Sequence, residues 1–305
     1  MDLHLLENIV AIADEHSITR AAEKRFVTQS ALNQQLQKLE EELGTPLFIR
    51  ARGNWRPTAA GEAYLETARQ MLLMKRDAYH RIADCAERSR RTLTVGLIPE
   101  RGIDMFVAVY PEFHRSFPEV GIEPVECAVS DMQRRINAGS LDLGLATLTP
   151  AQRDENVYHL MAEEEILLAV PSSHPLAEEG CEDPAEAPRT KLLRFADTPF
   201  VRIYQRSTLY QLTQSLFDQA GFEPQVLFST ASNLSKYRIV ALGLGCALLP
   251  RTYAAMGDGV RYYRLPQRPS WQITLCSRRG GWLGRPEAAY IELCRRYWQE
   301  RLGAS

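Results

Sequence analysis

Residues 17–50 read SITRAAEKRFVTQSALNQQLQKLEEELGTPLFIR, and the architecture follows from how this run is punctuated. Thr19 precedes Arg20-Ala21-Ala22-Glu23, a hydroxyl placed to cap a short helix whose alanines allow close packing. Thr28 offers a second cap. After it Leu32, Leu36, Leu39 and Leu43 share one helical face, and Gly44 stands where a helix end takes the left-handed conformation. Two capped helices a few residues apart, the second amphipathic, form the helix-turn-helix pattern, although any small helical bundle carries the same signal. Opposite the leucines lie Gln29, Ser30, Asn33, Gln34, Gln37 and Lys38. Side-chain amides match the acceptor and donor of an adenine edge. Taken alone, however, the stripe reads as a solvated helix face.

Working outward, Leu3, Leu6, Val10 and Ala13 upstream repeat at three and four and predict one more helix with a buried face. Downstream, Leu47 to Thr58 alternates apolar and basic residues around Gly53-Asn54, which predicts a two-stranded wing carrying Arg50, Arg52 and Arg56. Between Arg20 and Arg56 basic residues outnumber acidic ones by three, a patch and not a strongly basic domain. Thr58 then caps a long helix running to about Arg90. On it Leu65, Leu72, Tyr79 and Ala86 recur every seven residues, with Ala68, Lys75 and Ile82 three residues later. Heptad spacing is a coiled-coil seam, so the helix is read as a dimerising linker; the competing reading packs the stripe on its own chain.

The whole chain is 305 residues, long enough for two or three domains. Its 45% apolar and 24% charged residues exclude a disordered or low-complexity chain. A formal net charge of -2 argues neither for nor against nucleic acid. Six scattered cysteines with no CxxC pair make a disulfide-stapled module the poorer reading. The acidic N-terminus does not read as a signal peptide, and the longest apolar run, Ile239 to Leu249, is about half a membrane span. The expectation is a soluble, cytoplasmic protein with no membrane partner.

From Thr92 the period changes. Strands are expected at Thr92–Ile98, Val125–Val129, Leu141–Leu145, Glu165–Val170, Val226–Phe228, Cys246–Leu249 and Trp271–Cys276. Between them come a helix around Phe106 to Phe117, kinked at Pro111, a short helix ended by Gly139, and helices at Ser207–Ala220, Ser232–Leu242 and Glu287–Trp298. Such alternation means a parallel sheet with crossover helices, here split into two α/β subdomains around a cleft.

Three further runs sharpen the reading: Ser17-Ile18-Thr19-Arg20-Ala21-Ala22, Val27-Thr28-Gln29-Ser30-Ala31-Leu32, and Leu39 through Arg50 followed by Thr58-Ala59-Ala60-Gly61. Together with Pro171-Ser172-Ser173-His174-Pro175-Leu176 and Ala241 through Pro250, they resemble the LysR-type transcriptional regulators over essentially the full chain. The resemblance implies an α/β protein overall: an N-terminal all-α winged helix-turn-helix (1–58), a linker helix and hinge (59–91), and an effector-binding domain of periplasmic-binding-protein type (92–305). Its subdomains would span about 92–163 with 268–305, and about 164–267. It also implies a homodimer to homotetramer on double-stranded operator DNA, a small-molecule co-inducer, no resident cofactor, no catalysis, and a contact with RNA polymerase. With the resemblance, Thr28, Gln29, Ser30, Asn33, Gln34, Gln37 and Lys38 become base and phosphate contacts, Arg50, Arg52 and Arg56 phosphate contacts, and Leu65, Ala68, Leu72, Tyr79 and Ile82 the dimer seam. Many relatives have Ser-Arg-Gln where this chain has Asn33-Gln34-Gln35, so the usual guanine contact is in doubt here.

Ligands in such sheets sit beyond the carboxyl ends of strands. Effector candidates are therefore Pro99, Glu100, Arg101, Ser130 and Thr147 in one half, and Arg202, Tyr204, Gln205, Ser207, Thr208, Ser229 and Thr230 in the other. Ser207 and Thr208 at a helix start, with Arg202 and Arg206 near, suit a carboxylate; Glu100 and Arg101 suit an amine or zwitterion, or pair with each other. Ser207 as a plain cap is the equal alternative. Cys127 reads as a small buried hydrophobe sooner than a redox thiol, and the six histidines form no metal-ligand cluster. The competing class is a bilobal small-molecule-binding protein, transport-like or enzymatic, with an N-terminal helical interaction domain. It leaves the capped helices, wing and heptads without a task.

Overall fold

The structure, a computed structural model, describes residues 2–51, 54–85, 91–205, 207–254 and 259–303. The chain folds as two units, Met1–Arg88 and Ser89–Ser305.

In the first unit, α1 (Leu3–Glu15) is capped by Asp2, α2 (Ile18–Lys24) by Ser17 and α3 (Gln29–Leu43) by Thr28. The expected cap at Thr19 is thus corrected: Thr19 lies inside α2, and its hydroxyl donates to Gln29 Oε1 at 3.2 Å. Ser17 wins because its extended backbone aims its oxygen at the Arg20 N–H. Gly44 closes α3 at φ +68°. Leu32, Leu36 and Leu39 are buried against Ile9, Ile12, Ile18 and Ala21, whereas Leu43 at the helix end is 44% exposed. The wing pairs β1 (Phe48–Ala51) antiparallel with β2 (Asn54–Pro57).

α4 (Ala59–Cys85) starts where Thr58 accepts the Gly61 N–H. A Cβ on Gly61 would stand 2.0 Å from the Leu47 carbonyl oxygen, so the helix docks on the wing only with glycine there. Leu65 and Ala68 are buried on their own chain, and Leu65 joins the core of this unit. The seam reading is corrected for these two residues: the first turns of α4 finish the domain core before the helix leaves it. Leu72 is half-buried, while Tyr79 and Ile82 are exposed. Ala86 lies outside the described residues.

The second unit begins with β3 (Arg91–Leu97), α5 (Arg101–Ser116, continuous through Pro111), β4 (Val120–Glu126), α6 (Val129–Asn137) and β5 (Leu143–Leu148). β6 (Val157–Pro171) is fifteen residues long, more than twice the expected strand. Then follow β7 (Phe200–Ile203), α7 (Thr208–Ala220), β8 (Val226–Thr230), α8 (Asn233–Ala241), β9 (Ala247–Pro250), β10 (Val260–Tyr263), β11 (Ser270–Ser277) and α9 (Arg285–Leu302). The expected strand at Val125–Val129 is displaced toward the N-terminus, because Val129 already opens α6.

The larger sheet has the order β10-β6-β11-β5-β3-β4, with β9 also on β6. β3 is parallel to β4 and β5, but β11 runs antiparallel to β5 and β6. The all-parallel expectation is therefore corrected to a mixed sheet. The first half of β6 pairs with β11 and its second half with β9 and β10, so one strand joins two cores. One core holds Val95, Phe113, Leu145 and Trp298; the other holds Ile166, Phe195, Phe217 and Leu248. β7 and β8 form a short parallel pair, bridged to the second core through Phe200 and Cys246.

Candidate nucleic-acid interface and inter-lobe cavity

On α3, Gln29, Ser30, Gln34, Gln37 and Lys38 are exposed opposite the buried leucines, and Asn33 is half-buried. Thr28 Oγ1 is taken by the Ala31 N–H, so its first role is structural. Arg56 is exposed on β2. Arg50 is held: its guanidinium meets Glu40 Oε2 at 2.5 Å and lies 5.5 Å from the Trp55 ring centre. Glu40 also accepts the Leu47 and Phe48 N–H groups at 2.8 and 3.3 Å, fastening the wing to α3. Sequence reasoning missed that role, since the partners of Glu40 lie beyond the end of its helix, on the wing. Arg52 lies outside the described residues.

In the second unit a cavity of about 590 Å³ opens between the two cores. The carboxyl ends of β3, β5 and β7 reach it, together with the first residues of α6, α7 and α8. Of the expected residues, Pro99, Glu100, Arg101, Ser130, Thr147, Tyr204, Ser207 and Thr208 line it. Arg202, Gln205, Ser229 and Thr230 do not. Arg202 is corrected for a physical reason: its guanidinium is buried over the rings of Tyr210 and Phe217, 4.3 and 5.3 Å from their centres. Gln205 and Ser229 are exposed to solvent, and Thr230 accepts the Ser232 N–H. Arg206 lies outside the described residues. Ser207 is a cap, accepting from Tyr210 N and donating to Tyr204 O. Residues missed by the sequence include Gln133, Gln152, Gln211, Asn233, Tyr253 and Trp271, which tertiary folding alone brings to the cavity.

Two polar bridges span the cavity. Glu100 Oε2 accepts from the Asn233 N–H at 3.1 Å and the Tyr253 hydroxyl at 3.0 Å, and Gln152 Nε2 donates to Gln211 Oε1 at 2.7 Å. Glu100 does this from a left-handed backbone, φ +60°, which a side chain rarely adopts. Arg101 pairs not with Glu100 but with buried Glu164 at 2.5 Å, and Glu164 also accepts from Trp271 Nε1 and Thr252. Burial would raise the Glu164 carboxyl; the adjacent guanidinium and these donors outweigh it and hold it below the usual carboxylate range. Cys127 is half-buried, and desolvation pushes its thiol up, away from a reactive thiolate. Among the described residues no cluster of three His, Cys, Asp or Glu could hold a metal ion.

Residues 3–62 match the bacterial regulatory helix-turn-helix protein description of the lysR family, and residues 86–299 match the LysR substrate binding domain. The chain belongs to the LysR family. It is a LysR-type transcriptional regulator with a DNA-binding helix-turn-helix and an effector-binding domain. It is similar to the Hca operon transcriptional activator HcaR of Escherichia coli (strain K12), with 30% identity over 82% of each chain. It is also similar to the dual regulator OxyR of the same organism, 27% identical over 82% of this chain and 79% of that one. Among solved structures, a full-length OxyR variant from Pseudomonas aeruginosa shares the fold at a TM-score of 0.68, with 22% identity and 97% of each chain covered. No described helix of this LysR regulator is long and apolar enough to cross a membrane.

Proposed function

We propose that this regulator reads operator DNA through α3 and the wing, as a homodimer or homotetramer, and that a small molecule in the inter-lobe cavity changes that binding without any catalysis. The observation that carries the reading is the exposed amide stripe of α3, with Arg56 exposed on the wing. Gln29, Asn33, Gln34 and Gln37 suit base edges; Ser30, Lys38, Arg50, Arg52 and Arg56 suit phosphates. The working boundaries are 1–58 for the DNA-binding domain, 59–91 for the linker and 92–305 for the effector domain. α4 beyond its own core supplies the dimer contact through Leu72, Tyr79 and Ile82. A contact with RNA polymerase and a cytoplasmic location accompany the role.

The effector sits among Thr147, Ser130, Thr208, Tyr204 and the Glu100 bridge. It acts by binding one arrangement of the two lobes more tightly, so it must also alter operator affinity or DNA bend. The experiment is selection of duplexes from a randomised library by the full chain. It should enrich a two-fold related site whose affinity falls steeply between about 50 and 200 mM salt. Absence of any enriched duplex, or affinity indifferent to salt, would remove the DNA-reading assignment.

A further inference from the structure

Phe26 stands in the turn between α2 and α3 with 96% of its surface exposed and φ at +55°. Its N–H bonds to the Glu23 carbonyl and the next N–H, Val27, reaches back to Ala22, so Phe26 holds the left-handed position that closes α2. Glycine or asparagine takes that position with little strain; a bulky aromatic does not. The ring is also left in water, where an apolar group gains nothing. Both costs fall on one residue, and among the described residues no packing offsets either. An uncompensated outlier of this kind points to use outside the fold.

The place of the turn says what that use is. Phe26 lies two residues before Thr28, the cap of α3, and the Thr19–Gln29 hydrogen bond ties the two helix starts together. The first residues of a recognition helix are the ones that enter the groove. The cations around this turn are engaged within the domain: Arg20 and Lys24 with Glu15, and Arg25 with Glu7 and Asn8. This edge therefore offers DNA an apolar contact.

Resting on the DNA-reading assignment above, we propose that Phe26 is a DNA-contacting residue, its ring laid against the hydrocarbon surface of the groove wall. Two sources supply that surface, the deoxyribose edge and the C5-methyl of thymine. The test uses the full chain and a duplex enriched in the selection, with Phe26→Gly and Phe26→Asn, both of which tolerate the left-handed backbone. Each variant should bind about tenfold more weakly, the scale of one lost apolar contact, while melting at or above the parent's temperature. A duplex with thymine replaced by uracil separates the sources. If uracil weakens the parent but not the variants, the methyl is the partner; if it affects both alike, the sugar is. Unchanged affinity in both variants overturns the proposal, as does a loss of affinity matched by earlier melting. Gln34→Ala and Arg56→Ala on the same duplex tell the two failures apart: if they weaken binding and the Phe26 variants do not, only this inference falls.

Discussion

Lys236 is 1% exposed, and its ammonium donates to the Leu248 carbonyl at 2.6 Å and to Asn233 Oδ1 at 3.3 Å. Burial, reinforced by the nearby Arg202 charge and opposed by Glu100, pushes its pKa down to about 7. An unfolded lysine titrates near about 10.4. Between those values the unfolded state holds a proton that the folded state has lost, so this group makes stability rise with pH, and below about 7 its slope vanishes. Lys236 should therefore add a rising contribution to the stability of the effector domain between about pH 7 and about pH 9.5, read as the difference between the melting-temperature profiles of the parent and Lys236→Met. An identical slope in the variant would contradict the assignment. Nothing in the run Ser232 to Leu242 announces an inward lysine, because the Leu248 carbonyl that receives it comes from β9. Thr28 and Gly44 were legible for the opposite reason: a cap is satisfied within three or four residues of itself.

At the scale of elements, the wing depends on Glu40. Its carboxylate takes two wing N–H groups and Arg50. Glu40→Ala leaves the Leu47 and Phe48 donors without that acceptor and should destabilise the DNA-binding unit by about 1–3 kcal/mol, while Glu40→Gln, which can still accept, should lose less. Urea unfolding followed by Trp55 fluorescence measures both; equal losses would show that the acceptor is not what matters. Helices and wing were legible because their periods and caps are local. The first half of β6 was not, since what holds residues 157–164 extended is pairing with β11, distant in the chain, and the Arg101 bridge that buries Glu164. β4 slipped because Pro124 argues against a strand, yet β4 is the sheet edge, where a missing N–H costs little. The heptad stripe of α4 begins inside its own domain's core, which takes Leu65 and Ala68 away from a seam.

At the scale of the molecule, α4 carries Tyr79 and Ile82, 65% and 66% exposed, beyond the turns that its own domain covers. A helix face of this kind fits a two-fold partner. Ile82→Asp should shift the full chain to a lighter species at low micromolar concentration by light scattering; the parent's mass in the variant would show that the seam is elsewhere. The cavity was legible as strand ends meeting helix starts, but its arginine was not, because β7 is four residues long and turns Arg202 into an aromatic cage. The central claim is that α3 reads bases while the wing only holds phosphates. Its most direct test compares Gln34→Ala and Arg56→Ala across a library randomised around the enriched site. Gln34→Ala should relax preference at one position by about 1–3 kcal/mol, while Arg56→Ala weakens every sequence alike and lowers the salt slope by about one. Two variants that weaken every member of the library by the same factor would contradict it.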